Sequence, residues 1–219
     1  MGATEMHPAL ALVIAYLSGS VPSAYLAGRA LKGIDLRTVG SGNLGATNVY
    51  RNLGAKAAAG VLLVDALKGF LPALLLPGMV AASFAPTMRD RLWWGLAFGI
   101  AAIAGHAKPV FLLGRGGGKG VATASGVFAA LAPAALGLSL VAFLLTTWRT
   151  GYISLASIVS AIVLPPAIAL TAGVRSPLFG VSLAVAGFVI FAHRANIGRL
   201  RQGTEPRTFQ RKQGTGETA

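Results

Sequence analysis

Apolar positions along the chain fall in long runs, with polar residues gathered in short intervening segments and at the C-terminal end. A hydrocarbon core about 30 Å thick takes roughly 20 apolar residues to cross as a helix. The runs 8–27, 55–80, 93–107, 153–172 and 177–192 predict five such helices. The third and fifth are a little short, and Pro165-Pro166 predicts a kink in the fourth. A further apolar run, 120–147, is 28 residues long and interrupted by Pro133. It reads either as one long helix or as two short ones meeting at "LAPAA".

The distribution of charge chooses between these. With two helices in 120–147 the chain has seven spans. One face then collects Arg29, Lys32, Arg37, Arg51 and Lys56, Lys108, Arg115 and Lys119, Arg149, and the tail residues Arg194, Arg199, Arg201, Arg207, Arg211 and Lys212. Only Arg89, Arg91 and Arg175 fall on the other face. With six spans the basic tail would lie outside. Basic residues concentrate on the cytoplasmic side of membrane proteins, so the pattern predicts seven spans, N-terminus out and C-terminus in. Two of those helices are shorter than usual, which predicts partial re-entry or a locally thinned bilayer.

Composition agrees. Of 219 residues, 54% are hydrophobic and 11% are charged. Soluble domains carry about 25% charged residues, so this chain reads as an all-α integral membrane protein. Residues 1–200 form a single transmembrane domain in this reading, and 201–219 a basic cytoplasmic tail, disordered at its end. The net charge of +13 would suggest nucleic acid in a soluble protein. Here it follows the membrane topology, and no nucleic-acid partner is expected. The absence of cysteine excludes disulfides, thiolate nucleophiles and cysteine-ligated metals. Residues 1–7, "MGATEMH", lack a basic n-region and cleavage site, so the first run is expected to be retained.

"GSGNLG", residues 40–45, matches the glycine fingerprint of a dinucleotide-binding fold, with Asp65 at the expected distance beyond it. That fingerprint works only inside a βαβ unit. Here it lies in an inside loop, and Asp65 falls within the second span, so the dinucleotide reading fails. A glycine loop leading to a helix still offers backbone N–H groups to an anion.

Three inside segments share this chemistry. "GSGNLGATNVYRNLG", 40–54, carries Ser41, Asn43, Thr47, Asn48 and Arg51. "GHAKPVFLLGRGGGKGVAT", 105–123, places Gly116, Gly117 and Gly118 before Lys119. It is not a Walker A loop, since that pattern needs Gly at 113 and Ser or Thr at 120, where Leu113 and Gly120 stand. "AHRANIGRLRQGTE", 192–205, brings His193, Asn196 and Arg199. The set is rich in donors and nearly empty of carboxylates, which suits an anion, phosphate above all, and not a divalent metal.

Other basic and polar residues carry structural readings. Arg29, Lys32, Arg149 and the arginines beyond 205 serve as topology signals. His106 is balanced between a structural and a ligand role. Asp65 and Lys68, three apart on one helix face, predict an intramembrane ion pair.

The three segments, in this order, resemble the bacterial acyl-phosphate:glycerol-3-phosphate acyltransferases of the PlsY type, over nearly the whole chain. The second carries one glycine more than the family pattern. The resemblance implies transfer of a fatty acyl group from acyl phosphate to the 1-hydroxyl of glycerol 3-phosphate, giving lysophosphatidic acid and phosphate. It implies seven spans in the bacterial inner membrane, a cytoplasm-facing site and no acyl-CoA or acyl-carrier-protein donor; no cofactor, metal or protein partner is expected. By motif position it assigns catalytic roles to His193, Lys119 and Ser41. Glycerol 3-phosphate would meet Ser41, Arg51, Lys119, His193 and Asn196, with Asn48 among the binding residues. Gly116, Gly117, Gly118 and Thr47 would hold the donor's phosphate.

Acyl phosphate is already activated, so no covalent nucleophile is required, and clustered donors offset the repulsion between two anionic substrates. The proton acceptor is either His193 or a substrate phosphate oxygen. No H-x-x-x-x-D motif follows His7, His106 or His193, where Leu12, Phe111 and Gly198 stand, which argues against coenzyme-A-dependent acyltransferases. The competing class is a membrane transporter of a phosphorylated metabolite. Such a protein would place its site near the midplane within an internal repeat, and the chain shows no repeat.

Overall fold

In the computed structural model, which describes residues 6–208, the chain forms ten α-helices and no β-sheet among those residues. They are α1 (Pro8–Ser20), α2 (Ser23–Lys32), α3 (Ala46–Leu53), α4 (Ala55–Met79), α5 (Met88–Ala107), α6 (Val121–Leu131), α7 (Pro133–Thr150), α8 (Ile153–Ala172), α9 (Pro177–Ala192) and α10 (Arg194–Arg201). The expected disorder at the end of the tail falls on residues 209–219, outside the described residues.

Four stretches are long and apolar enough to cross a membrane: Pro8–Lys32, Ala55–Met79, Met88–Leu112 and Ile153–Ala172. The pair Pro177–Ala192 and Arg194–Arg201, bent by 57°, makes a fifth if taken together. The apolar run 120–147 is two helices, broken at Ala132, where Pro133 opens α7. Helix α6 has only 11 residues and α7 has 18.

Two helix boundaries depart from the sequence pattern. The first run does not pass straight through residue 21. Pro22 has no N–H to give and drives Val21 out of helical geometry, to ψ 115°, so α1 stops at Ser20 and α2 starts at Ser23. Helix α5 starts five residues before Trp93, because Thr87 and Asp90 form a reciprocal capping box there. Helix α8 keeps the expected bounds, Ile153–Ala172, with Pro165 and Pro166 inside it.

Helices α1, α4, α5 and α6 form one side, with α1 packed on α5 and α4 and with α6 packed on α4, and α7, α8 and α9 form the other. The main core, with Phe128, Leu96, Ile168 and Val189 among its members, joins the two halves. Short α6 sits so close to α4 that a Cβ at Gly126 would strike the carbonyl of Ala66, and one at Gly69 that of Thr123. In a bilayer, where lipid is as apolar as leucine, such close backbone approach is what binds helices together.

The expected ion pair is present and buried. Lys68 Nζ lies 2.6 Å from Asp65 Oδ1, with the two side chains 6% and 2% exposed. Ser23 Oγ donates to the same carboxylate at 2.5 Å, and Lys68 also donates to the carbonyl of Val21 at 2.7 Å. That carbonyl is one of those set free by the Pro22 break, so the helix interruption and the buried lysine complete each other.

Candidate active site

The loop before α3 is built on Asn48. This residue is 2% exposed. Its Oδ1 accepts from Ser41 N and from Asn52 Nδ2, both at 3.1 Å. Its Nδ2 donates to the carbonyls of Leu36 at 3.1 Å and Val39 at 3.2 Å. Both donors and both lone pairs of the amide are therefore engaged. Gly40, at φ 63°, comes so near that any side chain there would meet the Asn48 amide. Nearby, hydrogen bonds from the Arg37 guanidinium and backbone hold the Asp35 carboxyl down at about 2. The loop thus fixed leaves the hydroxyls of Ser41 and Thr47 on a cavity wall, with no protein partner among the described residues.

The second loop lies flush against the end of α5. Gly118 N donates to the carbonyl of His106 at 3.1 Å. A Cβ at Gly117 would strike the carbonyl of Ala107, and one at Gly118 the His106 ring. Asn43 Nδ2 donates to Gly117 O at 3.2 Å, tying the first loop to the second. Lys119 then reaches across to donate to Asn196 Oδ1 at 2.5 Å. Burial, reinforced by Arg199 and Arg51 and opposed by Glu205, brings the Lys119 ammonium down to about 8.

The third group comes from the bend between α9 and α10. His193 is buried, and its Nδ1 lies 2.8 Å from the carbonyl of Val189. A carbonyl only accepts, so Nδ1 carries the proton and Nε2 is left as the acceptor. Asn196 Nδ2 donates to Glu205 Oε1 at 2.6 Å, and Arg199 Nε donates to Glu205 Oε2 at 2.7 Å. Burial works against the charge on Glu205, but Ser154, Asn196 and Arg199 outweigh it and hold its carboxyl below the ordinary range. The chain then straps across the mouth. Arg51 Nη2 donates to Pro206 O at 3.0 Å, and Thr208 N donates to Gly151 O at 2.9 Å.

These groups surround one cavity of about 390 Å³. Its polar end carries Ser41, Thr47, Arg51, Lys119, His193 and Asn196, and its apolar arm runs between α6, α7, α8 and α9 past Phe128, Leu136, Phe143, Leu164 and Val185. Cationic donors at one end and hydrocarbon walls at the other fit a phosphorylated head joined to an alkyl chain.

The structure therefore brings together Ser41, Thr47, Asn48, Arg51, Lys119, His193 and Asn196. Gly116, Gly117 and Gly118 do not line this cavity. They back onto a gap of about 10 Å³ that they share with Lys68 and His106. Glu205, Pro206 and Thr208 line the cavity without having been singled out from the sequence. One signal was available: Glu205 is the single acidic residue between Arg194 and Arg211.

Membrane-length helices enclosing a cavity with cationic donors at one end and an apolar arm at the other fit a lipid-handling class. Residues 9–203 match the sequence profile of the glycerol-3-phosphate acyltransferases. A glycerol-3-phosphate acyltransferase of Geobacter metallireducens is 50% identical over 198 residues, covering 90% of this chain and 96% of that one. Another, of Geotalea daltonii, is 42% identical over 91% of this chain and 97% of its own length. Crystal structures of PlsY (YgiH), an integral membrane glycerol 3-phosphate acyltransferase, are also similar. The glycerol 3-phosphate form superposes with a TM-score of 0.79 at 37% identity, covering 93% of this chain and 96% of that one. The lysophosphatidic acid form gives 0.77 at 36%, covering 91% and 94%. This chain belongs to the glycerol-3-phosphate acyltransferase family.

The engaged amide of Asn48 and the free hydroxyl of Ser41 behave differently under mutation. Asn48→Ala strands the carbonyls of Leu36 and Val39 and is expected to cost about 2 kcal/mol or more in thermal unfolding. Ser41→Ala is expected to leave stability unchanged and to lower activity. Equal melting temperatures for wild type and Asn48→Ala would show that the loop does not depend on this amide.

Proposed function

We propose that the enzyme transfers a fatty acyl group from acyl phosphate to the 1-hydroxyl of glycerol 3-phosphate, releasing lysophosphatidic acid and inorganic phosphate. One observation carries the reading: unpartnered polar groups at the mouth of the cavity open directly onto its apolar arm. Ser41, Arg51, Lys119, His193 and Asn196 bind glycerol 3-phosphate, and the acyl chain occupies the arm. Thr47 and Gly120, which border the cavity, face the donor's phosphate. Asn48 shapes the first loop, and Gly116, Gly117 and Gly118 let the second loop lie against α5. The glycerol 3-phosphate and lysophosphatidic acid forms of PlsY support the assignment of substrate and product.

In the reaction the O1 oxygen of glycerol 3-phosphate bonds to the acyl carbon. The bond from that carbon to the phosphate oxygen breaks, and the electron pair leaves with phosphate. His193 Nε2 accepts a hydrogen bond from the attacking hydroxyl and orients it, while the proton ends on a phosphate oxygen. Lys119 and Arg51 offset the charge that gathers as two anions meet.

The chain crosses the bacterial inner membrane seven times, with its N-terminus outside and this site open to the cytoplasm. Convergence of the three basic segments on one cavity supports that orientation. Reporter fusions at Thr38 and after Arg207 are expected to read cytoplasm, and fusions near Arg89 and Arg175 outside. A C-terminal fusion reading outside would overturn the topology.

Purified protein is expected to release inorganic phosphate from long-chain acyl phosphate only with glycerol 3-phosphate present. Acyl transfer from acyl-CoA alone would overturn the donor assignment. Flux of phosphate ester across proteoliposomes without acyl transfer would instead indicate transport.

The same assay has a defined pH dependence. Lys119 is charged below about pH 8 and loses its proton above it. kcat/KM for glycerol 3-phosphate, which reports the free enzyme, is expected to fall above that pH, and the break should vanish in Lys119→Arg, which stays charged. A wild-type profile flat to pH 10 would show that Lys119 does not supply the binding charge.

A further inference from the structure

The first part of the second loop takes no part in the reaction, and its make-up is unlike the rest. Between α5 and the glycines the chain reads Lys108-Pro109-Val110-Phe111-Leu112-Leu113-Gly114-Arg115. It closes into a tight turn, in which Leu113 N donates to Val110 O and Gly114 N to Pro109 O, both at 2.9 Å. Leu112 packs inward, against the cluster that holds Leu36, Leu44 and Val49. Its neighbours stand outward: Phe111 is 58% exposed and Leu113 86%. Leu113 also sits at φ 53°, the one left-handed residue other than glycine among the described residues. A branched side chain is strained in that region, and showing it to water adds a second cost.

The place of the turn identifies what it meets. Helix α5 has 20 residues, which at about 1.5 Å each cross a hydrocarbon core of about 30 Å. Its end therefore lies where hydrocarbon gives way to headgroups, and the turn follows directly. Tyr16 Oη donates to the Lys108 carbonyl at 2.7 Å, which puts a tyrosine at the depth where tyrosines gather. Lys108 and Arg115 flank the turn and form no ion pair among the described residues, so both can reach anionic headgroups. An apolar tip between two cations is complementary to the surface of a leaflet. The far end of the loop is tied to the site: Asn43 donates to Gly117 O, Gly118 N donates to His106 O, and Lys119 comes next.

We propose that residues 110–113 are an interfacial anchor, seated among the lipid headgroups on the site's own side of the membrane, and that this anchor positions Lys119. Phe111 and Leu113 are positioning residues, and neither lines the cavity. The effect on Lys119 rests on the acyl-transfer reading above; the seating in lipid does not.

The chain has no cysteine, so a single introduced thiol can carry an environment-sensitive dye without background. In vesicles of phosphatidylcholine and phosphatidylglycerol, the dye at Leu113→Cys is expected to be quenched by lipids with brominated chains and shielded from iodide in the water. The dye at Thr38→Cys, an exposed position on another loop, is expected to show the reverse. Iodide quenching at 113 equal to that at 38 would overturn the anchor. Shielding from iodide that grows with protein density, without quenching by brominated lipid, would assign the tip to a second copy of the chain and overturn it equally. If Leu113→Cys does not fold, Phe111→Cys carries the same measurement. None of this needs turnover.

The positioning role is read separately, in the double variant Phe111→Ser, Leu113→Asn. Asparagine accepts the left-handed backbone, so the turn is kept while its apolar tip is lost. A loop released from the leaflet lets water reach Lys119, and the ammonium then recovers toward the ordinary lysine range. The break in kcat/KM near pH 8 is therefore expected to move upward, and kcat/KM below it to fall roughly tenfold. A folded double variant with the break and kcat/KM of wild type would overturn the positioning role. Lipid quenching at 113 in a protein that transfers no acyl group would retain the anchor while removing the wider reading.

Discussion

The pairing of Lys68 with Asp65 is the interaction on which the rest of the molecule turns. Neither charge is tolerable alone inside an apolar bundle, and removing one partner of such a pair typically costs 3–5 kcal/mol. What makes the pair affordable is its company. Lys68 satisfies the Val21 carbonyl at the break between α1 and α2, Ser23 at the start of α2 satisfies Asp65, and the ring of His106 stands next to both. Three otherwise independent helical segments are fixed to α4 by one ion pair. Because His106 in turn limits how the glycine loop lies, the position of Lys119 follows from charges one layer deeper in the protein.

The donors around the cavity divide into those that build and those that remain available. Asn48 spends its whole hydrogen-bonding capacity on its own loop, and Glu205 is consumed by Asn196 and Arg199. Ser41, Thr47 and Nε2 of His193 have nothing bound in the described residues. A cavity that borders this many unfilled polar groups is prepared for a polar guest, since burial without partners is unfavourable. The apolar arm has the reverse character. Two of its serines are turned back onto their own helices: Ser139 donates to Ala135 O and Ser157 to Ile153 O.

The pattern of apolar runs and basic loops was enough to place most helices, because a bilayer leaves few other ways to satisfy a backbone. It also located the break at Pro133 and the pairing of Asp65 with Lys68, since both depend on residues close in sequence. The break at Pro22 was hidden, because the run around it is apolar on both sides and what stabilises it is Lys68, distant in the chain. The candidate site was legible as a set of residue types, since phosphate chemistry draws on a short list of side chains. It was not legible as a division of labour. Whether Asn48 faces a ligand or its own loop depends on the path of residues 36–41, and whether glycines 116–118 cradle an anion or admit a close neighbour depends on α5. Neither contact leaves a mark in the local sequence.

One contact joins distant parts of the chain. Arg51 is held by the carbonyl of Pro206, 155 residues later, just beyond the last helix. Synthesis runs from the N-terminal side, so this bond forms only after the ten described helices have been made. Until then the mouth lacks its strap, and Asn196 lacks the Glu205 carboxylate that aligns it. Completion of the cavity is thereby coupled to synthesis through Pro206: a chain stopped before that residue carries the described helices but not the finished lining.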